Sequence, residues 1–450
     1  MRQTIVKAAL CGAMLLATTA QAALSPVEQK IGASVDAGHE PAIALLEKIV
    51  NQNSGSMNIA GVKAVADMLR PEFEALGFAV TWKPMDQVKR AGHFIAVHKG
   101  KAGTTKMLLI GHLDTVFEPD SPFQTFKRDG DWAAGPGVGD DKGGVVTMLL
   151  ALKAMQAVDT LKNANIEVVL TGDEEDSGDP VSISRADLIA VGKRADVALD
   201  FEGLSREDGK DMGSIARRSS NSWTLTTSGK SAHSSGIFSA AAGDGAVYEM
   251  ARIITAFRKE LPEPNLTFNV GLIGGGQSAD VDKDGVRIAV TGKTNIIPPI
   301  AVAKGDFRTL SQDQTERVRA KMQAIVDSGH LPGTGAGIAF DLGYPSMAPT
   351  AGNRALLAKL NGINKDLGLP DMPELDPLKR GAGDISFVAQ DVDGLVGLGL
   401  ASTGDHSPAE KADLSTMPRQ AKRAAMLMTR LSVEGPEMID LGAPAFAGAR

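Results

Sequence analysis

A single cysteine occurs in the 450-residue sequence, and it lies near the amino terminus. Cys11 is part of a short apolar run, residues 8–17, which follows two basic residues and precedes a small-x-small cleavage sequence ending at Ala22. This pattern predicts a secretory signal peptide over residues 1–22 and a secreted or periplasmic protein. The mature chain would contain no disulfide, so its stability would depend on core size or on bound metal.

The sequence also lacks an excess of positive charge and a further apolar run long enough to span a membrane. Its formal net charge is -7 at pH 7, and losing Arg2 and Lys7 with the signal peptide would lower it to -9. A negative protein is repelled by phosphate backbones and by anionic lipid surfaces. We therefore expect no nucleic acid partner, and no membrane association after signal cleavage.

The mature chain is too long for one ordinary core, which favours two domains. Residues 23–212 and 347–440 alternate helical periodicity with short, continuously apolar strands, which predicts an α/β domain with a mixed sheet covered by helices on both faces. Residues 143–158 are predicted to form a helix with one apolar face. Residues 213–346 are richer in strands and predict an inserted α+β domain.

Histidines and acids follow the predicted strands at five separate junctions. The residues concerned are His112 and Asp114, Asp140 and Asp141, Glu174 and Glu175, Asp200, and His406. Ligands of open α/β sheets bind beyond the carboxyl ends of the strands, so we expect these side chains to meet. A single acidic run is usually a solvated part of the surface, and a single histidine usually has a structural role. The prediction of a site therefore depends on the coincidence of all five junctions.

A divalent cation would relieve the repulsion within such a cluster. Imidazole and carboxylate ligands without sulfur suit zinc first, and they leave cobalt and manganese open.

These sequence blocks, in this order, resemble the co-catalytic zinc metallopeptidase family of glutamate carboxypeptidase, acetylornithine deacetylase, succinyl-diaminopimelate desuccinylase and the aminoacylases. The resemblance covers nearly all of the mature chain and looks closest to exported glutamate carboxypeptidases. It implies two zinc ions per chain and a role for each residue of the cluster except Asp141. Asp140 would bridge the metals, His112 and Asp200 would complete one, Glu175 and His406 would complete the other, Glu174 would be the general base, and Asp114 would orient the His112 ring.

The resemblance further implies that residues 213–346 form a ferredoxin-like lid and dimerisation domain. His233 would stabilise the oxyanion, in dimeric relatives from the opposite subunit, while Asn295 and Arg308 would hold substrate. The ordinary alternatives are an exposed turn histidine at 233 and an ion pair between Arg308 and Asp306.

A glycine-rich loop in the last third of the chain also matches the family. Gly381 and Gly383 would let the backbone approach a substrate carboxylate. In contrast, Ser219 and Ser220, which follow Arg217 and Arg218, replace the glycine that relatives often carry, so the substrate preference stays open.

The activity implied is that of an exported two-zinc metallo-exopeptidase which releases a C-terminal amino acid, such as glutamate, from a small peptide. An N-acyl amino acid deacylase using the same residues is the alternative. A relative that only binds ligands is disfavoured, because the six residues implied as metal ligands and base are all present.

Overall fold

The computed structural model describes residues 24–435, so the predicted signal peptide lies outside the described residues. Within that range the chain forms nine α-helices and eighteen strands. The helices are α1 (Pro26–Val50), α2 (Ile59–Ala75), α3 (Lys142–Ala157), α4 (Val181–Ser184), α5 (Ala186–Gly192), α6 (Ala246–Glu260), α7 (Gln312–Asp327), α8 (Ala351–Asp366) and α9 (Met417–Leu431). The strands are β1 (Ala79–Met85), β2 (Arg90–His98), β3 (Lys106–His112), β4 (Lys127–Asp129), β5 (Trp132–Ala134), β6 (Asn165–Thr171), β7 (Val197–Asp200), β8 (Arg206–Glu207), β9 (Lys210–Asp211), β10 (Ser220–Ser228), β11 (Thr267–Gly276), β12 (Ser278–Val281), β13 (Ile288–Thr291), β14 (Ile300–Arg308), β15 (Gly335–Tyr344), β16 (Gly394–Val396), β17 (Ala401–Thr403) and β18 (Lys411–Asp413).

The larger sheet has six strands in the order β1-β2-β6-β3-β7-β16. Strands β6, β3, β7 and β16 run parallel, while β1 and β2 pair antiparallel at one edge. Alternate residues of β3 enter two separate cores: Met107 and Leu109 pack with the helices on one face, and Leu108 and Ile110 pack on the other. Burial on both faces explains why these strands are apolar throughout. The predicted mixed α/β sheet, covered by helices on both faces, is confirmed.

Helix α3 differs from its prediction in one respect. The sequence indicated a single apolar face, but nearly every position from Lys142 to Met155 is buried. Helices α1 and α9 both pack against α3, and β3 contacts it from the sheet side. The helix is therefore enclosed rather than amphipathic, which suits its continuous run of Val, Leu, Met and Ala.

A second sheet lies within residues 220–344 and has its own core. Its four antiparallel strands run in the order β11-β14-β10-β15, and the chain order β10-α6-β11-β14-α7-β15 is the ferredoxin-like arrangement. Trp223, Phe257 and Phe307 are buried between the sheet and helices α6 and α7. Because the other sheet face is more exposed, burial alternates along β10, as its alternating sequence predicts.

The parallel strands of the larger sheet end at a common edge. In the ladder, His112 on β3 is level with Thr171 on β6, and Ile110 is level with Asp200 on β7. The loops that follow these three strands therefore start side by side. The other two junctions, at Asp140 and His406, follow β5 and β17 of a four-stranded antiparallel sheet in the order β17-β18-β5-β4. None of the helices described within residues 24–435 has the length and apolar character needed to cross a membrane.

Candidate active site

Asp140 lies between two histidines that come from distant parts of the chain. Its Oδ1 is 3.0 Å from Nε2 of His112, and its Oδ2 is 3.0 Å from Nε2 of His406. Asp140 stands in the turn just before α3, whereas His112 ends β3 and His406 follows β17. One carboxylate therefore presents a different oxygen to each imidazole, which is the arrangement of a ligand shared by two cations.

Glu175 completes the side of the cluster around His406. Its Oε2 lies 3.2 Å from Nε2 of His406. Ligand atoms of His112, Asp140 and Glu175 all lie within 4.8 Å of one another, a grouping that can hold a metal ion. His406 has φ of 62°, a left-handed conformation uncommon outside glycine and often found at functional sites.

Asp114 connects the histidine side of the cluster with the two glutamates. Its fully buried carboxylate accepts the backbone N–H of Glu174 through Oδ1 (3.0 Å) and the N–H of Glu175 through Oδ2 (3.1 Å). The Ser56 hydroxyl donates to Oδ2 at 2.5 Å. Nδ1 of His112 lies 3.1 Å from the Asp114 carbonyl oxygen and 3.4 Å from Oδ1. Asp114 thus contacts the loop that carries Glu174 and Glu175 as well as the His112 imidazole. The sequence analysis expected only the contact with His112.

Asp200 and Glu202 form an acidic pair at the end of β7. Asp200 is buried; its Oδ2 accepts no hydrogen bond and lies 3.8 Å from Nη1 of Arg217, while Oδ1 accepts the N–H of Glu202. Glu202, which the sequence reasoning missed, contacts Nη1 of Arg217 at 2.7 Å and Nη2 of Arg380 at 3.4 Å. A second acid two residues after Asp200 was the signal available in the sequence.

The charges of the cluster show how strongly it favours a cation. Contacts with Asp140 and Glu175 raise the pKa of His406 to about 11. Burial lowers the pKa of His112, but Asp114 and Asp140 more than reverse that effect and raise it well above its ordinary value. Burial raises the pKa of both Glu175 and Asp200 to about 7, helped by the charges of Asp140 and Glu202 respectively. Protonated imidazoles therefore supply the positive charge that bound divalent cations would supply.

Glu174 is placed differently from Glu175. Its pKa is raised well above the ordinary value by burial and by the charges of Glu202 and Asp384. Its backbone oxygen accepts the hydroxyl of Tyr344, at the end of β15, at 2.8 Å. A carboxyl with a raised pKa beside a metal-ligand group suits proton transfer near neutral pH.

Comparison with known proteins decides the family. The model of "Peptidase family M20/M25/M40" matches residues 108–430, which include the whole cluster described above. The chain belongs to this family. It is therefore a metallohydrolase, and the family resemblance inferred from the sequence is confirmed.

Two relatives and one solved structure illustrate this membership. Carboxypeptidase G2 of Pseudomonas sp. (strain RS-16) is 26% identical over 437 residues, covering 96% of this chain and 99% of that protein. Succinyl-diaminopimelate desuccinylase of Ralstonia nicotianae is 27% identical over 308 residues, covering 65% and 75%. The Bacillus subtilis protein YXEP, described as a dinuclear metal binding peptidase from the M20 family, has a TM-score of 0.61 at 15% identity, covering 88% and 98%.

The residues that the sequence analysis expected to hold substrate fall into two groups in this M20 protein. His233 and Asn295 are exposed neighbours, since Ser234 donates its N–H to the Asn295 carbonyl at 2.9 Å. Arg308 ends β14, where its Nε lies 3.5 Å from Oδ2 of Asp306. A Cβ placed on Gly381 would lie 3.9 Å from Nη1 of Arg308, so the ferredoxin-like unit does bring this arginine to the glycine-rich loop.

Gly383 has a different reason for lacking a side chain. A Cβ there would lie 2.2 Å from Nη1 of Arg217, whose Nε donates to the Gly381 carbonyl at 2.8 Å and whose Nη2 donates to the Ala382 carbonyl. Arg217 is buried and links this loop to Glu202. The sequence reasoning singled out Arg217 without assigning it a role, because its contacts are with residues far along the chain.

The acidic loop after β6 is partly neutralised by arginines. Arg185 is fully buried and binds Oδ1 of Asp173 and Oδ1 of Asp384, each at 2.6 Å. Arg90 donates to Oδ1 of Asp176 at 2.7 Å. These pairs hold the backbone that carries Glu174 and Glu175, while the Glu175 carboxylate itself faces His406.

Proposed function

We propose that this M20 protein is an exported two-metal exopeptidase which hydrolyses the amide bond to a C-terminal amino acid, with glutamate the first candidate. The observation that carries the proposal is the Asp140 carboxylate, whose two oxygens face histidines from separate loops at 3.0 Å. The likeness to carboxypeptidase G2 along nearly the whole chain supports the exopeptidase assignment.

The residues present fit a pair of divalent cations, zinc first and cobalt or manganese as alternatives. Asp140 would be shared, His112 and Asp200 would complete one position, and Glu175 and His406 the other. The buried Oδ2 of Asp200 accepts no hydrogen bond and lies 3.8 Å from Nη1 of Arg217, too far for one. This supports its inclusion, because a buried carboxylate oxygen is costly without a closer partner. When bound, the cations supply Lewis acidity that polarises the scissile carbonyl and acidifies the attacking water.

The chain's own residues would carry out the remaining work. Glu174 would accept the proton of the attacking water and return it to the departing amine, because its raised pKa suits both transfers. Asp114 would keep His112 and the Glu174 loop in place. His233 would donate to the developing oxyanion, with Asn295 beside it, so the ferredoxin-like unit would act as a lid.

Arg308 and the backbone at Gly381 would hold the free α-carboxylate of the departing residue. A guanidinium presents a planar fork that suits a carboxylate, and Gly381 leaves room beside it. An N-acyl amino acid carries the same carboxylate, and a desuccinylase is among the relatives. N-acyl amino acid deacylase is therefore the second candidate function.

The function is tested with metal analysis and a substrate panel. Purified protein should contain two metal ions per chain, and exhaustive chelation should abolish hydrolysis. Dipeptides, folate-type glutamates and N-acyl amino acids should be compared, each with a free and with an amidated α-carboxyl. A protein that hydrolyses none of the free acids, or that stays active without metal, would refute the proposal.

The carboxylate assignment needs its own variant. Amidation should lower kcat/KM roughly 30-fold to several thousand-fold, corresponding to about 2–5 kcal/mol for a charge left without its partner. Arg308→Ala should cause a similar loss on the free acid and little further loss on the amide. Arg317→Ala is the matched control, because this exposed α7 arginine pairs with Glu263 at 3.1 Å. Equal kcat/KM values on the free acid and its amide would show that Arg308 does not bind the carboxylate and is the ion-pair partner of Asp306.

The same proposal includes two further points. The protein would form a homodimer through the ferredoxin-like unit, residues 213–346, and it would be exported by a signal peptide over residues 1–22. Light scattering would give the oligomeric state, and mass spectrometry of the exported protein would give its amino terminus. If His233 acts across a dimer, mixing inactive His233→Ala and Glu174→Gln chains should restore activity. No restoration in a preparation shown to exchange subunits would place His233 within its own chain.

A further inference from the structure

Glu410 is a buried carboxylate that the mechanism above does not use. It lies four residues after His406, immediately before β18, and is 1% exposed. A carboxylate at that depth requires partners that replace water. Its partners are all on another part of the chain, about 270 residues away.

Three backbone N–H groups of the Asp140 turn donate to Glu410. Gly139 donates to Oε1 at 2.9 Å, Asp140 to Oε1 at 3.3 Å, and Gly137 to Oε2 at 3.2 Å. Both oxygens are therefore occupied as acceptors. The donors belong to the turn before α3, and the Asp140 side chain of the same turn contacts His112 and His406.

The Asp140 turn also packs tightly against the segment that leads to His406. A Cβ on Gly139 would lie 2.3 Å from Cβ of Ser402 on β17. Turn and segment thus touch at Gly139, and Glu410 connects them through three further hydrogen bonds. A shift of either one cannot be absorbed by empty space.

We infer that Glu410 is a positioning residue that fixes the distance between Asp140 and His406, and with it the geometry of the metal pair. The inference rests on the proposed two-metal function. Glu410 would align Asp140, the shared ligand, with His406, a ligand from the last quarter of the chain. Partners of metal ligands typically influence metal affinity or activity by about 10–100-fold.

Glu410→Gln is the most direct variant. Because both oxygens accept N–H groups, the amide nitrogen of glutamine must face at least one of these donors whichever way it is turned. Glu410→Asp keeps the charge but shortens the side chain by one methylene, so it cannot reach all three donors. Both variants should bind metal about 10–100-fold more weakly.

Glu249→Gln is the matched control. Glu249 is fully buried on α6 in the ferredoxin-like unit, accepts the N–H of Leu331 at 3.0 Å, and pairs with Arg252 and His330. Its replacement also disturbs a buried carboxylate and should lower the melting temperature. It should leave metal affinity unchanged, because none of these partners belongs to the metal-ligand set.

The experiment titrates metal-free full-length protein with Co²⁺ in competition with a chelator. The visible absorption bands of bound Co²⁺ report coordination geometry independently of hydrolysis, and circular dichroism reports folding. Weaker Co²⁺ binding with an altered spectrum in folded Glu410→Gln or Glu410→Asp, but not in Glu249→Gln, is the result expected. Wild-type affinity and spectrum in either folded Glu410 variant would overturn the inference, even if its melting temperature falls. A wild-type protein that binds no Co²⁺ would overturn the proposed function as well, so the two failures are distinguishable.

Discussion

Replacing Asp114 with asparagine tests how one buried carboxylate organises the site. The two oxygens of Asp114 receive the N–H groups of Glu174 and Glu175 at 3.0 and 3.1 Å, and Oδ2 also receives the Ser56 hydroxyl. Asparagine keeps the shape but converts one acceptor into a donor. In either orientation its amide group therefore faces one of the two backbone N–H groups, whereas the Ser56 hydroxyl can rotate and accept instead.

The expected loss of stability follows from the number of backbone N–H groups left without an acceptor. One buried N–H left without an acceptor costs about 1–3 kcal/mol of folding free energy. The same change weakens the orientation of His112, whose Nδ1 lies 3.4 Å from Oδ1, and moves the loop that carries both glutamates. We therefore expect Asp114→Asn to lower metal affinity or kcat by about 10–100-fold as well as stability.

The assay combines urea unfolding, metal affinity and hydrolysis of the best substrate found in the panel. Ser56→Ala is the control, because it removes one donor to Asp114 and leaves both backbone N–H groups satisfied. It should cost no more than about 1.5 kcal/mol, the loss of an ordinary hydrogen bond. An Asp114→Asn protein with wild-type stability, metal affinity and kcat would refute the reasoning, since no orientation of asparagine accepts both N–H groups.

Three further predictions follow from the cluster. Glu174→Gln should keep both metals and lower kcat by roughly 10²–10⁴-fold, since only proton transfer is lost, whereas Glu175→Gln should lose metal; equal metal loss would contradict their separate roles. Asp200→Asn should reduce metal occupancy, while Glu202→Gln should keep the metals and mainly weaken the contact with Arg217; the reverse pattern in metal analysis would make Glu202 the ligand. Burial raises the pKa of Glu175 and Asp200 to about 7 from ordinary values of 4.5 and 3.8, so the metal-free protein should lose stability as the pH rises through that window. The gain in melting temperature on adding zinc should therefore grow from about pH 5 to about pH 7.5. A gain that stays constant over this range would contradict these shifts.

The sequence by itself determined the residue types of the site and the fold class. Strand and helix periodicity are local properties, so the α/β sheet covered on both faces and the strand-rich insertion could be read from the chain. His112, Glu174, Glu175 and Asp200 were expected to meet because the ends of parallel strands lie at one edge of a sheet. Asp140 and His406 reach the cluster from the loops after β5 and β17, which belong to a separate antiparallel sheet. The family resemblance added expected roles, which the geometry of Asp140, between two histidines, now supports.

Only the tertiary structure decided which atoms meet. The all-round burial of α3 depends on α1 and α9, which pack onto it from distant parts of the chain. Gly383 lacks a side chain because Arg217 fills that space, and Glu410 meets the Asp140 turn across 270 residues of sequence. Such contacts leave no periodic signal, because a buried polar partner is chosen by its distance and direction in the folded chain. The sequence thus determines which groups are available for catalysis, and the packing of remote segments determines how they are held.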